Sequence, residues 1–170
     1  MKIILEGADG TGKTTLAKIL ANKYGLDIAH CTQRDAADYN FQRQTLRKED
    51  IIWDRHVLSE LIYPKVFGRA PQIGIEDARL IVHYAKQEDV KIFVLTCDND
   101  TIRDRLYERG GEHPLILKNI GDINHQFVFY AKEFHVPIID TSRMTLSEIF
   151  SLIEEGAANE QNRDQNFKSA

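Results

Sequence analysis

The sequence has little cysteine, no long apolar run and no surplus of basic residues, and each shortage removes a class of protein. Cys31 and Cys97 are its two thiols. They are too few and too far apart for a disulfide scaffold or a metal site, and they read as reduced, buried thiols of a cytoplasmic protein. No window approaches the roughly 20 consecutive apolar residues of a membrane span. The opening run Met1-Lys2-Ile3-Ile4-Leu5-Glu6-Gly7 turns acidic too soon for a secretion signal. Lys and Arg number 22 against 26 Asp and Glu, which argues against a sequence-independent duplex binder and leaves nucleic acid an unexpected partner. The six histidines, His30, His56, His83, His113, His125 and His135, show no metal-ligand spacing. No internal repeat is visible.

What is present suits one globular domain. The chain has 170 residues, 42% hydrophobic and 28% charged, enough to bury a core. Apolar strand-like runs alternate with amphipathic stretches. Strands are expected at Lys2–Glu6, Leu26–Cys31, Ile51–Trp53 running into Asp54, Lys91–Thr96 and Val136–Asp140. Helices are expected over Lys13–Tyr24, Asp35–Lys48, Leu58–Phe67, Ile75–Gln87, Thr101–Arg109, Asn124–Phe134 and Thr145–Glu155. Five strands separated by helices predict an α/β, three-layer domain: a five-stranded parallel sheet flanked by helices, over residues 1–155. Residues 156–170 lose periodicity and read as a polar, disordered tail.

Gly7-Ala8-Asp9-Gly10-Thr11-Gly12-Lys13-Thr14 matches G-x-x-x-x-G-K-[ST] between a strand and a helix. Glycines let the backbone curl until successive N–H groups face a phosphate, with no Cβ in the way. Lys13 is placed to reach the β- and γ-phosphates, the Thr14 hydroxyl to ligate Mg²⁺, and Thr15 opens a helix whose dipole favours the same anion. At ordinary glycine usage of ~7%, a chance match in this chain is roughly one in two hundred. The loop, Gly7, Asp9, Gly10, Thr11, Gly12, Lys13, Thr14 and Thr15, is therefore expected to bind a nucleoside triphosphate, with ATP the expected one. N-K-x-D, usual in guanine-binding switches, is absent. Motor and AAA-type domains generally need more length than 170 residues, so a small kinase fits best.

A second corner stands at Ile51-Ile52-Trp53-Asp54-Arg55-His56. In a parallel sheet the carboxyl ends of neighbouring strands share one ligand crevice. Asp54 can therefore hold Mg²⁺ through water, and Arg55 can face an acceptor phosphate. An isolated surface ion pair is the plainer reading of Asp-Arg; the loop beside it tips the balance. Tyr39 and Phe41 could stack on a base but more often such residues are core. Arg69 lies in a loop near this corner, where it could read a base or a phosphate.

These segments resemble the thymidylate kinase and deoxynucleoside kinase group of P-loop enzymes. EGADGTGKTT is similar to the thymidylate kinase loop, and the resemblance implies that Asp9 bonds the acceptor sugar 3′-hydroxyl. DRHVLSELIY resembles an Asp-Arg-Tyr-x-x-Ser stretch, with His56 where Tyr is commoner and Tyr63 where an aromatic ring disfavours a 2′-hydroxyl. LTCDNDTIRDRLYERGGE resembles the strand and helix leading to a lid, implying a lid over about residues 105–122 with Arg105 and Arg109 as catalytic arginines beside Lys13 and Arg55. CTQRD resembles the Thr-Arg-Glu-Pro turn of that group, which implies that Arg34 contacts the acceptor; His56, Tyr63 and Arg69 are the further residues expected to bind it. IIDTS is similar to the strand and loop that border the adenine. Only about forty residues separate Lys13 from Asp54, as in short, virus-encoded nucleotide kinases.

The resemblance implies an ATP- and Mg²⁺-dependent kinase of deoxynucleoside monophosphates, with dTMP the first expected acceptor and a homodimer the expected assembly. A deoxynucleoside kinase, for which Asp35 would be the candidate base, stays open, as does a nucleotide-binding regulatory module. A kinase acting on DNA is disfavoured by charge.

Overall fold

The computed structural model describes residues 1–155; the expected tail at 156–170 lies outside them. Five strands, β1 (Lys2–Gly7), β2 (Asp27–His30), β3 (Ile51–Asp54), β4 (Val90–Thr96) and β5 (Ile138–Asp140), form one parallel sheet in the order β2-β3-β1-β4-β5. Side chains on a strand alternate between faces, so apolar runs supply two cores at once. Ile4, Trp53, Ile92 and Val94 point into one cluster. Ile3, Leu5, Ile52, Phe93 and Leu95 point into the other. The first face is covered by α3 (Tyr39–Thr45), α4 (Val57–Val66), α5 (Ile75–Gln87), α6 (Asn99–Glu108) and α7 (Pro114–Glu133). The second is covered by α1 (Lys13–Tyr24) and the helical stretch 146–155. This is the expected three-layer α/β fold.

The strand register fixes the site. His30 pairs with Asp54, Leu5 with Asp54, Gly7 with Leu95 and Thr96 with Asp140, so all five carboxyl ends finish at one edge. Gly7 has φ of 141°, and a Cβ there would lie 2.3 Å from the Leu95 carbonyl oxygen. Only glycine allows the two strands to stay paired while the chain turns into the loop.

Two expected elements differ. The helix expected at Asp35–Lys48 is two, α2 (Gln33–Ala36) and α3, because Asp38 adopts an extended backbone and its side chain accepts from the Phe41 N–H at 3.0 Å, capping a new helix. The helix expected at Asn124–Phe134 begins ten residues earlier, at Pro114. Proline suits a first helical position, His113 Nδ1 accepts from the Leu115 N–H at 3.2 Å, and Ile116, Ile120, Ile123, Phe127 and Ala131 make one buried stripe.

His56 also departs from the acceptor-binding expectation. It is completely buried, its ring set edge-on to Trp53. The Thr45 hydroxyl donates to the Gln42 carbonyl at 2.7 Å, so His56 Nε2, 2.9 Å from that oxygen, must be the donor of their bond. Nδ1 is then a buried acceptor without a partner. Burial therefore depresses the imidazole pKa from its ordinary 6.5 to about 3.

Gly7→Ala is expected to lower stability by about 1–3 kcal/mol, read from denaturant midpoints, and to abolish nucleotide binding. His56 gives an acid limb: the unfolded imidazole takes a proton below about pH 6.5 and the folded one does not. Stability is complete above that pH and falls as pH drops towards 3, by up to about 1.4 kcal/mol per pH unit. His56→Gln should flatten this limb in urea titrations between pH 6.5 and 4; an unchanged slope would remove His56 as its source.

Candidate active site

The loop between β1 and α1 has the geometry its glycines predict. Gly10 and Gly12 have φ of 81° and 92°, a region side-chain-bearing residues seldom adopt. Thr11 turns inward, its hydroxyl donating to the Ala8 carbonyl at 2.8 Å. Lys13 arches over the loop, Nζ donating to the carbonyls of Gly7 and Ala8 at 2.8 and 2.7 Å. Burial, and then the Arg55 charge, lower its pKa from 10.5 to about 8, with Asp9, Asp54 and Glu6 opposing.

On the next strand, Asp54 Oδ2 accepts from the Thr14 hydroxyl at 2.7 Å and lies 3.3 Å from His30 Nδ1. A hydroxyl and a carboxylate at this spacing are the hard oxygen donors that Mg²⁺ takes alongside phosphates. No cluster of three His, Cys, Asp or Glu among the described residues could hold a metal unaided.

Arg55 follows at φ 75°. Its guanidinium donates to Asp9 Oδ1 and stacks over the Tyr63 ring, 4.6 Å from its centroid, while the Tyr63 hydroxyl donates to Asp9 Oδ2 at 2.7 Å. Burial alone would raise the Asp9 pKa; the Arg55 and Lys13 charges and the Tyr63 bond outweigh it and hold the carboxyl below its usual range. Burial raises the Tyr63 pKa, so the phenol keeps its proton.

Two cavities meet here. The larger, about 850 Å³, runs from Gly10, Gly12, Lys13, Thr14 and Thr15 past His30 and Asp54 to Arg105, Arg109 and Thr141. The smaller, about 310 Å³, is lined by Thr32, Ser59, Glu60, Tyr63, Phe67, Arg69, Glu112 and Ile116. Asp9, Cys31 and Arg55 belong to both. Arg105 Nη1 donates to the Gly10 carbonyl and the Thr141 hydroxyl, each at 3.2 Å. Arg109 pairs with Glu112 at 2.6 Å across the short α6–α7 connection. Glu60, fully buried, grips Arg69 with both oxygens at 2.7 and 2.6 Å and also accepts the Gln72 N–H.

Arg34 is exposed and lines neither cavity, which leaves it outside the site with His56. The pattern of the sequence gave no role to His30, Cys31, Glu60 or Glu112, while Glu6, Ser59 and Thr141 stood in the stretches EGADGTGKTT, DRHVLSELIY and IIDTS without a role of their own. A signal existed for two of them: Glu6 and Glu60 are single acids inside the apolar runs KIILEG and VLSELIYPKV. Arg103 takes the plain role of a surface residue paired with Asp100 at 3.2 Å.

Several known proteins are similar to this chain. A "Probable thymidylate kinase" of Methanocaldococcus jannaschii is 26% identical, covering 90% of this chain and 93% of that one. "Cytidylate kinase 2" of Borreliella burgdorferi is also 26% identical, covering 91% and 94%. Among solved structures, the YorR protein of Bacillus subtilis in complex with phosphorylated GDP superposes with a TM-score of 0.77 at 23% identity, covering 95% and 98%. The family model described as "AAA domain" matches residues 3–125, so the length argument against AAA-type domains does not hold for this branch. The chain belongs to that AAA domain family, as a P-loop kinase domain.

Proposed function

We propose that the protein is an ATP-dependent deoxynucleoside monophosphate kinase, with dTMP the first acceptor, that transfers the ATP γ-phosphoryl group to give the diphosphate. The observation that carries this reading is the pair of cavities meeting at Asp9 and Arg55. A donor lying along the P-loop and an acceptor in the smaller chamber would present their phosphates to each other at that boundary. The relatives named for thymidylate and cytidylate phosphorylation, and the guanine nucleotide in the YorR complex, support a nucleotide acceptor without choosing its base.

Phosphoryl transfer runs through a loose, nearly in-line transition state, so positioning and charge neutralisation do most of the catalysis. The P-loop amides and Lys13 would hold the donor phosphates. Thr14 and Asp54 would hold Mg²⁺, which neutralises charge on the phosphate oxygens when bound. Arg55 would face the acceptor phosphate. Arg105 and Arg109 would add charge to the transferred group as the segment 105–122, proposed as a lid, closes and excludes water. Asp9, Tyr63 and Arg69 would hold the acceptor sugar and base. The chemistry favours a monophosphate: with a second pKa of ~6 it is already dianionic at neutral pH and needs no base. A nucleoside hydroxyl would need one. Asp35 is an unsuitable base, since its carboxylate accepts from the Thr32 N–H and hydroxyl at 2.9 and 2.7 Å and lines neither cavity.

An ADP-release assay with MgATP against the four deoxynucleosides and their monophosphates, with Lys13→Ala as blank, tests the reading. Turnover with at least one monophosphate is expected. Turnover confined to free nucleosides, or none with any of the eight, would overturn it. The double variant Arg105→Ala/Arg109→Ala should fold and bind ATP but lose about 10³-fold or more in kcat. Unchanged turnover would remove both arginines from the mechanism.

A further inference from the structure

Glu6 is an acid where an aliphatic residue would be expected, in the middle strand of a buried parallel sheet and with no exposed surface. It lines neither cavity. Burial pushes its pKa up, opposed by hydrogen bonds from Ser59 and Leu58 and by the Arg55 charge. Burying such a group is costly unless its oxygens are used. They are used entirely on one segment. Oε1 accepts from the N–H groups of His56, Leu58 and Ser59 at 3.0, 2.7 and 3.4 Å, and Oε2 accepts the Ser59 hydroxyl at 2.8 Å.

That segment begins directly after Arg55. A non-glycine residue at φ 75° is strained and persists only where its surroundings over-determine it. The Arg55 N–H is tied back to the Leu5 carbonyl at 2.9 Å. The next free donors are gathered on Glu6, whose carboxylate also meets the positive end of α4. The same helix carries Ser59, Glu60 and Tyr63 into the smaller cavity. Glu6 thus stands between the P-loop, which starts at the next residue, and the acceptor chamber.

We propose that Glu6 is a positioning residue for acceptor binding: by gathering the His56–Ser59 donors it holds Arg55 in its left-handed conformation and sets α4 against the P-loop. The inference rests on the kinase reading for its kinetic test and on the geometry alone for its structural one. In Glu6→Gln the side chain keeps a carbonyl oxygen for the backbone donors and its amide can face the Ser59 oxygen. In Glu6→Ala the donors are orphaned.

The kinetic experiment measures kcat/KM for dTMP, or for whichever monophosphate the wild type turns over, and separately KM for ATP. Glu6→Ala should lose about 100-fold in acceptor kcat/KM with KM for ATP little changed, and Glu6→Gln should recover most of the loss. Parallel shifts for both substrates, or no acceptor shift, would overturn the proposal. If Glu6→Ala does not fold, Glu6→Asp, whose shorter side chain cannot reach all four donors, takes its place, with the same split expected at smaller size. Amide hydrogen exchange is the second readout. Residues 56, 58 and 59 should lose protection in Glu6→Ala and keep it in Glu6→Gln, while residues 10–14 stay as in the wild type. Should the wild type phosphorylate no monophosphate, the kinase reading fails by itself, and unchanged exchange at 56–59 would then overturn this inference independently.

Discussion

The contact between Asp9 and Arg55 joins the loop after β1 to the turn after β3, and both residues line both cavities. A partly buried guanidinium between two cavities is steadied by a fixed anion, and Asp9 supplies one whose charge is retained because Arg55 and Lys13 stand beside it. Tyr63 closes the arrangement from α4 by bonding the second Asp9 oxygen and lying under the guanidinium. Three elements distant in sequence are thereby held at one point. A group carried from one chamber to the other would have to pass it.

Around that point, buried acids do the orienting. Glu60 holds Arg69 with both oxygens, and Glu6 gathers the amides that follow Arg55. Each is fully buried, and each holds a residue that lines the smaller cavity, Glu60 holding Arg69 and Glu6 holding Ser59. Long cationic side chains and a left-handed backbone would otherwise sample many geometries. Rigid acceptors in a dry interior restrict them before a ligand arrives. Packing alone cannot aim a guanidinium in this way, which is why polar groups occur in an otherwise apolar layer.

The fold was largely legible in the chain. KIILEG and VKIFVLT hold the apolar runs Ile3-Ile4-Leu5 and Ile92-Phe93-Val94-Leu95 because parallel strands are covered on both faces, and the structure pairs them at the centre of the sheet. Gly-x-x-x-x-Gly-Lys-Thr was legible because its backbone shape admits few residues. Where expectation and structure part, tertiary contacts or local caps decided. Asp38 ended one helix and began another by bonding its own backbone. The first half of α7 became helical because Ile116 and Ile120 found a core.

Local chemistry in the sequence thus determined the parallel α/β class, the glycine loop and the strand-end Asp54-Arg55, since period, β-branching and glycine conformational freedom act over a few residues. Only the tertiary structure decided which side chains share a chamber. It sent His56 into the core beside Trp53, left Arg34 in solvent, and brought Glu60, Phe67 and Glu112 around one cavity. The reason is physical: a side chain's neighbours across a sheet or between helices depend on register and packing. Those are set by the whole core at once, and no local spacing records them.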